Sequence, residues 1–560
     1  MRSTLLLAIA LVAPLAAAQT ADFTRVAVDL PLQGTAALWT DYDGDGETDL
    51  FFANGQDDSS LFVRDNPGPF VRQTISLSNA QHTDGVFADI DGDGDRDYLR
   101  GSLSSSVYFR REGSGFVAAN LPGFSGLSEV RTVEAVDVDG DGRLDVLAGT
   151  RTGPTVLLLN TLTGWEPAAD DLAQDQSTTA SVCWGDADDD GDLDLYMTTS
   201  AGEPNRAFRN DGGAFAAWDL GIDEDASEAT TSCSWGDADG DGDLDLFTTA
   251  ANGGRSRLYL NDGATLTLAP TSVFPDLRAD LFNATWGDVD NDGDLDLVVV
   301  GRDEPQRVFY SLAGRFREVR TILSPGAFNV AVALLDFDAD GDLDAAVATG
   351  DANVREANTI LENRLDASNG WLGVRLVGTQ SNREGVGAAV TVYASSGDQT
   401  LQLRQTVLAH TSRRTQADTR LHFGLGDTSV DSVVVRWPTG VREVYEDVEG
   451  GEVVALVETD GALASEPGLP TSEATLSLDV WPNPARGAVS VRVSSAVSGA
   501  TLVEVFDVRG RRVWSGSQPL AAGELATLSV EADEWAPGVY AVRVRTGSAV
   551  VSTRITLTRR

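Results

Sequence analysis

One hydropathic phrase recurs seven times between residues 23 and 365. An apolar run ends in a bulky side chain, a short acidic loop follows, and a second apolar run begins at once. The bulky residues are Trp39, Phe87, Trp184, Trp235, Trp286 and Leu334, with Ala135 in the third phrase. The run after the loop is typified by Asp296-Leu-Val-Val-Val-Gly301. A third strand follows, as in Ser256-Arg-Leu-Tyr-Leu260, then a turn and a weaker fourth strand. Four short strands in roughly 50 residues, with turn signals between them, make a propeller blade. Seven phrases therefore predict an all-β, seven-bladed β-propeller. The bulky residue ahead of each loop is expected to pack between blades rather than to form a ligand platform. Only two clear strands follow the seventh loop, near Asp344-Ala-Ala-Val347 and Asn358-Thr-Ile-Leu361, while a spare one, Phe23-Thr-Arg-Val-Ala-Val28, precedes the first. That segment is predicted to complete the seventh blade and close the ring, so that no sheet edge stays open.

The acidic loop reads Asp-x-Asp-x-Asp-Gly-x-x-Asp, at intervals of 48 to 51 residues. Position 1 is Asp41, Asp89, Asp137, Asp186, Asp237, Asp288 and Asp336; position 3 is Asp43, Asp91, Asp139, Asp188, Asp239, Asp290 and Asp338. Position 5 is Asp45, Asp93, Asp141, Asp190, Asp241, Asp292 and Asp340; position 9 is Asp49, Asp97, Asp145, Asp194, Asp245, Asp296 and Asp344. Calcium takes six to eight oxygens at about 2.3–2.6 Å, and a short loop supplies them when side chains at positions 1, 3 and 5 turn inward and position 7 offers its carbonyl. Position 7 varies (Glu47, Asp95, Arg143, Asp192, Asp243, Asp294 and Asp342), as expected if only the backbone is used there. Glycine always fills position 6, where a sharp turn needs positive φ. Asp/Gly clusters are also ordinary surface turns. Seven copies in register favour a cation, because four crowded carboxylates otherwise have to protonate. An EF-hand is excluded: it needs Glu at position 12, where the first three copies have Phe52, Arg100 and Ala148. A nonapeptide β-helix would set the motifs back to back, and two cysteines are too few for cysteine-rich calcium repeats.

Composition narrows the setting. The formal charge is −45, and every basic residue apart from three histidines is arginine. Seven divalent ions would bring the charge to about −31. The lack of a basic patch makes nucleic acid and anionic membranes poor partners. Arg2, the apolar stretch Leu5 to Leu15, and Ala16-Ala17-Ala18 read as a secretory signal over 1–18. No later stretch is long and apolar enough for a transmembrane helix. Cys183 and Cys233 lie three and four residues ahead of loops four and five. On equivalent strands of adjacent blades, that parity places them on opposite faces, as a bond across the gap requires. An exported setting favours a disulfide; the alternative is two small buried hydrophobes.

The repeats resemble the FG-GAP/VCBS propeller repeats also found in integrin α-subunits, carried by wording such as WGDADGDGDLDLF at 235–247. The resemblance implies a calcium ion in each loop, up to seven, and a role in extracellular binding or adhesion. Residues 19–366 are read as the propeller. Residues 367–458 resemble the ASPIC/UnbV domain known from cartilage acidic protein, through Ser381-Asn-Arg-Glu-Gly-Val-Gly387, Arg420-Leu-His-Phe-Gly-Leu-Gly426 and Val435-Arg-Trp-Pro-Thr-Gly440. Between the first two motifs this chain has Ala409-His-Thr-Ser-Arg-Arg414 in place of the family's usual Gly/Tyr/Ser-Gln segment. Residues 459–475 read as a linker. From 476 to 560 the chain resembles the C-terminal sorting domain of the type IX secretion system, a β-sandwich, through Trp481-Pro-Asn-Pro484, Val505-Phe-Asp-Val-Arg-Gly-Arg511 and Pro537-Gly-Val-Tyr540. That module implies contact with the secretion machinery and release to, or attachment at, the cell surface.

The expected function is that of a secreted or cell-surface calcium-binding propeller, acting in adhesion or in binding an extracellular protein or glycan, with structural ions. The alternative is a secreted hydrolase or lyase using acidic residues in the channel. A third reading is a passive coat component. No catalytic residue is nominated: His82, His410 and His422 are scattered, and no hydroxyl or thiol has an evident positioned base.

Overall fold

The computed structural model describes residues 21–557, apart from 29, 31–33, 44–46, 55–58, 65–67, 74, 76, 78–81, 114, 200–201, 223–228, 264, 303–305, 321–327, 351–355, 366–368, 398, 460–475, 482–488, 496–498, 508–511, 521–524, 531, 533–534, 536–537 and 547–548. The predicted signal sequence, most of the predicted linker, Pro482–Pro484, and Asp45 with Gly46 of loop one lie outside the described residues.

Seven antiparallel blades form the ring. In the first six the strands follow one another in sequence, as in Val130–Val136, Asp145–Thr150, Val156–Thr161 and Gly164–Pro167. The seventh takes Asn329–Leu335, Asp344–Thr349 and Thr359–Asn363, and its fourth strand is Phe23–Arg25, paired Phe23 to Asn363. Each acidic loop joins the first, innermost strand of its blade to the second. Apolar side chains on both faces of these two strands pack against the neighbouring blades, so the core is a series of clusters between sheets. The tryptophans ahead of the loops reach the preceding blade. Trp39 stacks on Phe337 at 5.9 Å, and Trp235 meets Tyr196 edge-on at 6.4 Å. Glycine precedes loops four, five and six and makes room there: a Cβ on Gly185 or Gly236 would come within 2.7 Å of the Trp235 or Trp286 ring. Cys183 and Cys233, on the inner strands of blades four and five, are joined in a disulfide.

The second domain packs two sheets around Leu372, Val374, Val390, Val392, Val433, Val435 and Trp437. It sits on the face of the ring that carries the acidic loops. From that face, residues 407–420 descend into the channel, where Thr415–Gln416 pairs in parallel with Ala37–Leu38 of the first inner strand. The C-terminal module is a second sandwich, with Val491, Val493, Val503, Val505, Val542 and Val544 in its core.

Candidate metal centres and the plugged channel

The loops are built by their own backbone. Glycine at position 6 takes φ between +86° and +105° from loop two to loop seven and sends its N–H to the carboxylate at position 1. The distances are 2.8–3.2 Å for Asp137, Asp186, Asp237, Asp288 and Asp336. Position 5 accepts the N–H of position 7, at 3.0–3.3 Å for Asp93, Asp141, Asp190, Asp241, Asp292 and Asp340. Carboxylates thereby converge: Asp41, Asp43 and Asp49, for example, bring ligand atoms within 4.8 Å of one another, as do Asp137, Asp139 and Asp145. The side chains of Asp192, Asp294 and Asp342 at position 7 each accept an N–H at 2.7 Å, from Gly212, Ala313 and Leu365.

Position 9 has a second task that the motif did not reveal. Both carboxylate oxygens of Asp49, Asp145, Asp194, Asp245, Asp296 and Asp344 accept backbone N–H groups at 2.7–3.1 Å. One donor is position 2 of the loop and the other lies on the third strand or one residue beyond it. Asp97 instead takes Arg111 N–H and the Tyr108 hydroxyl. The third-strand donor is often an asparagine whose amide reaches position 2 of the preceding blade's loop. Asn160, Asn210, Asn261 and Asn363 donate to the carbonyls of Ile90, Val138, Ala187 and Val289 at 2.8–3.3 Å. Arg111 and Arg64 do the same to Tyr42 and Phe337. These stitches run from blade to blade around the ring. Their sequence signal is an Asn or Arg recurring 14 to 19 residues after position 9.

Electrostatics favour a bound cation in these loops. Burial pushes the carboxyls of Asp49, Asp97, Asp145 and Asp194 up to about 7 and that of Asp245 to about 8, while Asp288, Asp296 and Asp344 lie well above the usual carboxylate range. Asp290, at position 3 of loop six, is 1 % exposed, and among the described residues neither carboxylate oxygen makes a hydrogen bond of normal geometry. Asp89 and Asp95 in loop two each leave one buried oxygen without a donor. Such oxygens are costly unless charge neutralises them. A hard divalent ion held by positions 1, 3, 5 and 9 with the position 7 carbonyl fits this donor set.

The second domain closes over the loops. Arg383 donates to the Gly94 carbonyl, Arg404 to that of Gly242 at 3.1 Å and Asn369 to that of Asp290 at 3.0 Å. His422 donates Nε2–H to Asn291 at 2.7 Å and stacks on Trp371; burial holds it neutral, with its pKa down to about 4. A Cβ on Gly142 or Gly341 would come within 2.3 Å of the Gln380 carbonyl or 2.0 Å of the Trp371 ring.

In the channel, the segment Ala409–Arg414, to which sequence assigned no role, is a plug. Gln416 exchanges two hydrogen bonds with the Phe87 backbone, at 2.9 and 2.8 Å. Ser412 meets Ser232 at 2.7 Å and accepts from Asn283 at 3.1 Å. His410 faces the Gly85 carbonyl through Nε2 at 2.9 Å and Glu134 through Nδ1 at 3.1 Å, with Asp84 at 4.0 Å. Two acceptors on one ring call for the imidazolium. Burial alone would depress its pKa, but Glu134 and Asp84 outweigh this and raise it to about 9. His82, buried between Tyr98 and Ser59, is driven down to about 3 by burial and stays neutral. A 14-residue connection rich in polar residues inside a β-domain was the available signal for the plug.

A ring of seven acid-looped blades, capped and plugged by a β-sandwich, is the class of protein defined here. Comparison gives the relatives. FG-GAP-like repeats match residues 41–100, 137–197, 186–248, 237–299 and 288–347; the ASPIC and UnbV family matches 378–463; and the secretion system C-terminal sorting domain matches 479–558. The chain is an FG-GAP-repeat β-propeller with an ASPIC/UnbV domain and a type IX sorting domain. The sorting domain marks it for export, to be secreted or attached at the outer membrane. Among the described residues no helix is long and apolar enough to cross a membrane. No curated protein matches the chain. Among solved structures, an Agrocybe aegerita lectin recognising non-reducing terminal N-acetylglucosamine is 19 % identical over 53 % of this chain and 79 % of its own, with a TM-score of 0.37. BBS1N in complex with ARL6DN, soaked with mercury, is 11 % identical over 62 % of this chain and 97 % of its own, with a TM-score of 0.42. Likeness at this level carries no functional weight.

Proposed function

We propose that this exported protein binds calcium in its blade loops, that the ions are structural, and that it acts by binding an extracellular protein or glycan. The observation that carries the calcium reading is Asp290, buried with both oxygens lacking a donor inside a ring of further carboxylates. The plug supports binding over catalysis: the channel acids Asp84 and Glu134 face His410 and are not free to act as an acid–base pair. The second domain covers one face and the plug occupies part of the channel, where a cavity lined by Trp235, Trp286, Trp371 and His422 remains; the opposite face and the outer rim are open to a partner. Elemental analysis of purified protein, with melting followed before and after chelation, tests the ions. Absence of bound calcium together with unchanged melting overturns the reading. Glycan and protein arrays probed with and without chelator test the binding role.

A further inference from the structure

Loop four has the same motif as its siblings but a different electrostatic environment. Asp186 Oδ1 still receives Gly191 N–H at 3.2 Å, but its Oδ2 faces Arg404 Nη2 at 3.1 Å and Arg436 Nη1 at 3.5 Å. Asp188 Oδ2 lies 2.8 Å from Arg209 Nε, and Asp190 Oδ2 lies 2.9 Å from Arg209 Nη2. Every carboxylate that the motif turns inward, at positions 1, 3 and 5, thus already has a guanidinium. Arg404 also pairs with Asp189 at 2.9 Å, and Arg436 donates to the Asp190 carbonyl. Arg404 and Asp186 are buried, 8 % and 4 % exposed, so solvent does not weaken their pairing.

The contrast with loop six is direct. There, among the described residues, no arginine pairs with Asp288, Asp290 or Asp292, and the charged groups around Asp290 are further carboxylates. A divalent ion placed among Asp186, Asp188 and Asp190 would lie beside three fixed positive charges. To enter, it would have to displace two arginines that belong to the second domain, Arg404 and Arg436. Guanidinium suits the substitution because its planar fork serves several carboxylate oxygens at once.

We propose that loop four holds no calcium while the second domain is docked: Arg209, Arg404 and Arg436 take the ion's place, and the loop serves as the clasp that seats that domain. This rests on the calcium reading of the other loops. The seven motifs then hold at most six ions. The test is long-wavelength anomalous diffraction from crystals of the full chain grown in millimolar calcium. Peaks in loops six, five and seven with none in loop four support the inference. A peak in loop four with the second domain seated overturns it and leaves the calcium reading intact; no peak in any loop overturns both. In solution, native mass spectrometry of the full chain with calcium is expected to show at most six ions, and the triple variant Arg209→Ala, Arg404→Met, Arg436→Met to gain one. A wild-type count of seven overturns the clasp. The single variant Arg209→Ala, whose side chain is 51 % exposed, covers the case in which the triple variant fails to fold: it keeps the wild-type count if the second domain's arginines suffice to exclude calcium.

Discussion

Loops four and six are spelled almost alike, yet they differ in how their charge is met. In loop six the carboxylates are buried, crowded and without donors at Asp290. In loop four the same positions are answered by arginines, two of them from a domain more than two hundred residues away in sequence. A metal motif sets where carboxylates converge; what neutralises them depends on whatever packs above. The plug adds a third contact of the same second domain, one that needs no metal ion.

The comparison can be broken or sharpened in four ways, from the largest effect down. Chelation is first. At free calcium of 10 to 100 times Kd, each filled loop adds about 1.4–2.7 kcal/mol, so stripping every filled loop should lower the melting temperature more than any single substitution, as calorimetry will read. Second, Arg404→Met leaves Asp186 buried with less compensation. In chelator it should cost about 3–5 kcal/mol, and in calcium less, because the loop can then take an ion; an equal loss in both buffers would count against the clasp. Third, Asp290→Asn should change sign with the buffer. In calcium it removes one ion and about 1.4–2.7 kcal/mol; in chelator it stabilises, because a buried unpaired charge has gone. Denaturant titrations in both buffers measure this.

The fourth concerns the plug. The pKa of His410 in the fold, about 9, lies above its ordinary 6.5. Its contribution is therefore complete below pH 6.5 and lost as pH rises through 9. Facing it are Asp84 and Glu134, with Arg131, Arg413 and Arg414 nearby. Burial raises the Asp84 carboxyl to about 6, so it no longer titrates above pH 7. In calcium, where the loop carboxylates are held ionised, His410 should make stability fall by about 1 kcal/mol between pH 7 and 8, and His410→Gln should remove that fall; in chelator the raised loop carboxyls add a slope of their own.

Much of the ring could be read from the chain. The phrase that ends in Trp39, Trp235 or Trp286 and restarts after Asp-Gly carries strand length, turn and interblade packing within about ten residues, so local pattern suffices. The closing strand Phe23–Arg25 was legible because the seventh phrase lacked a strand and the first had one to spare. The seam of Asn160, Asn210, Asn261 and Asn363 was not, because each links two blades and neither blade's pattern demands it. Nor was the plug, whose partners Asp84, Glu134, Ser232 and Asn283 lie on four different blades.

By itself, then, the sequence determined the repeat: where strands begin, where carboxylates converge and how many blades close the circle, since each depends on neighbours within one blade. Only the tertiary structure decided which carboxylates meet an arginine, that a histidine is held as a cation in the channel, and which face of the ring is covered. Those outcomes depend on charges brought together across hundreds of residues, and burial makes each of them strong.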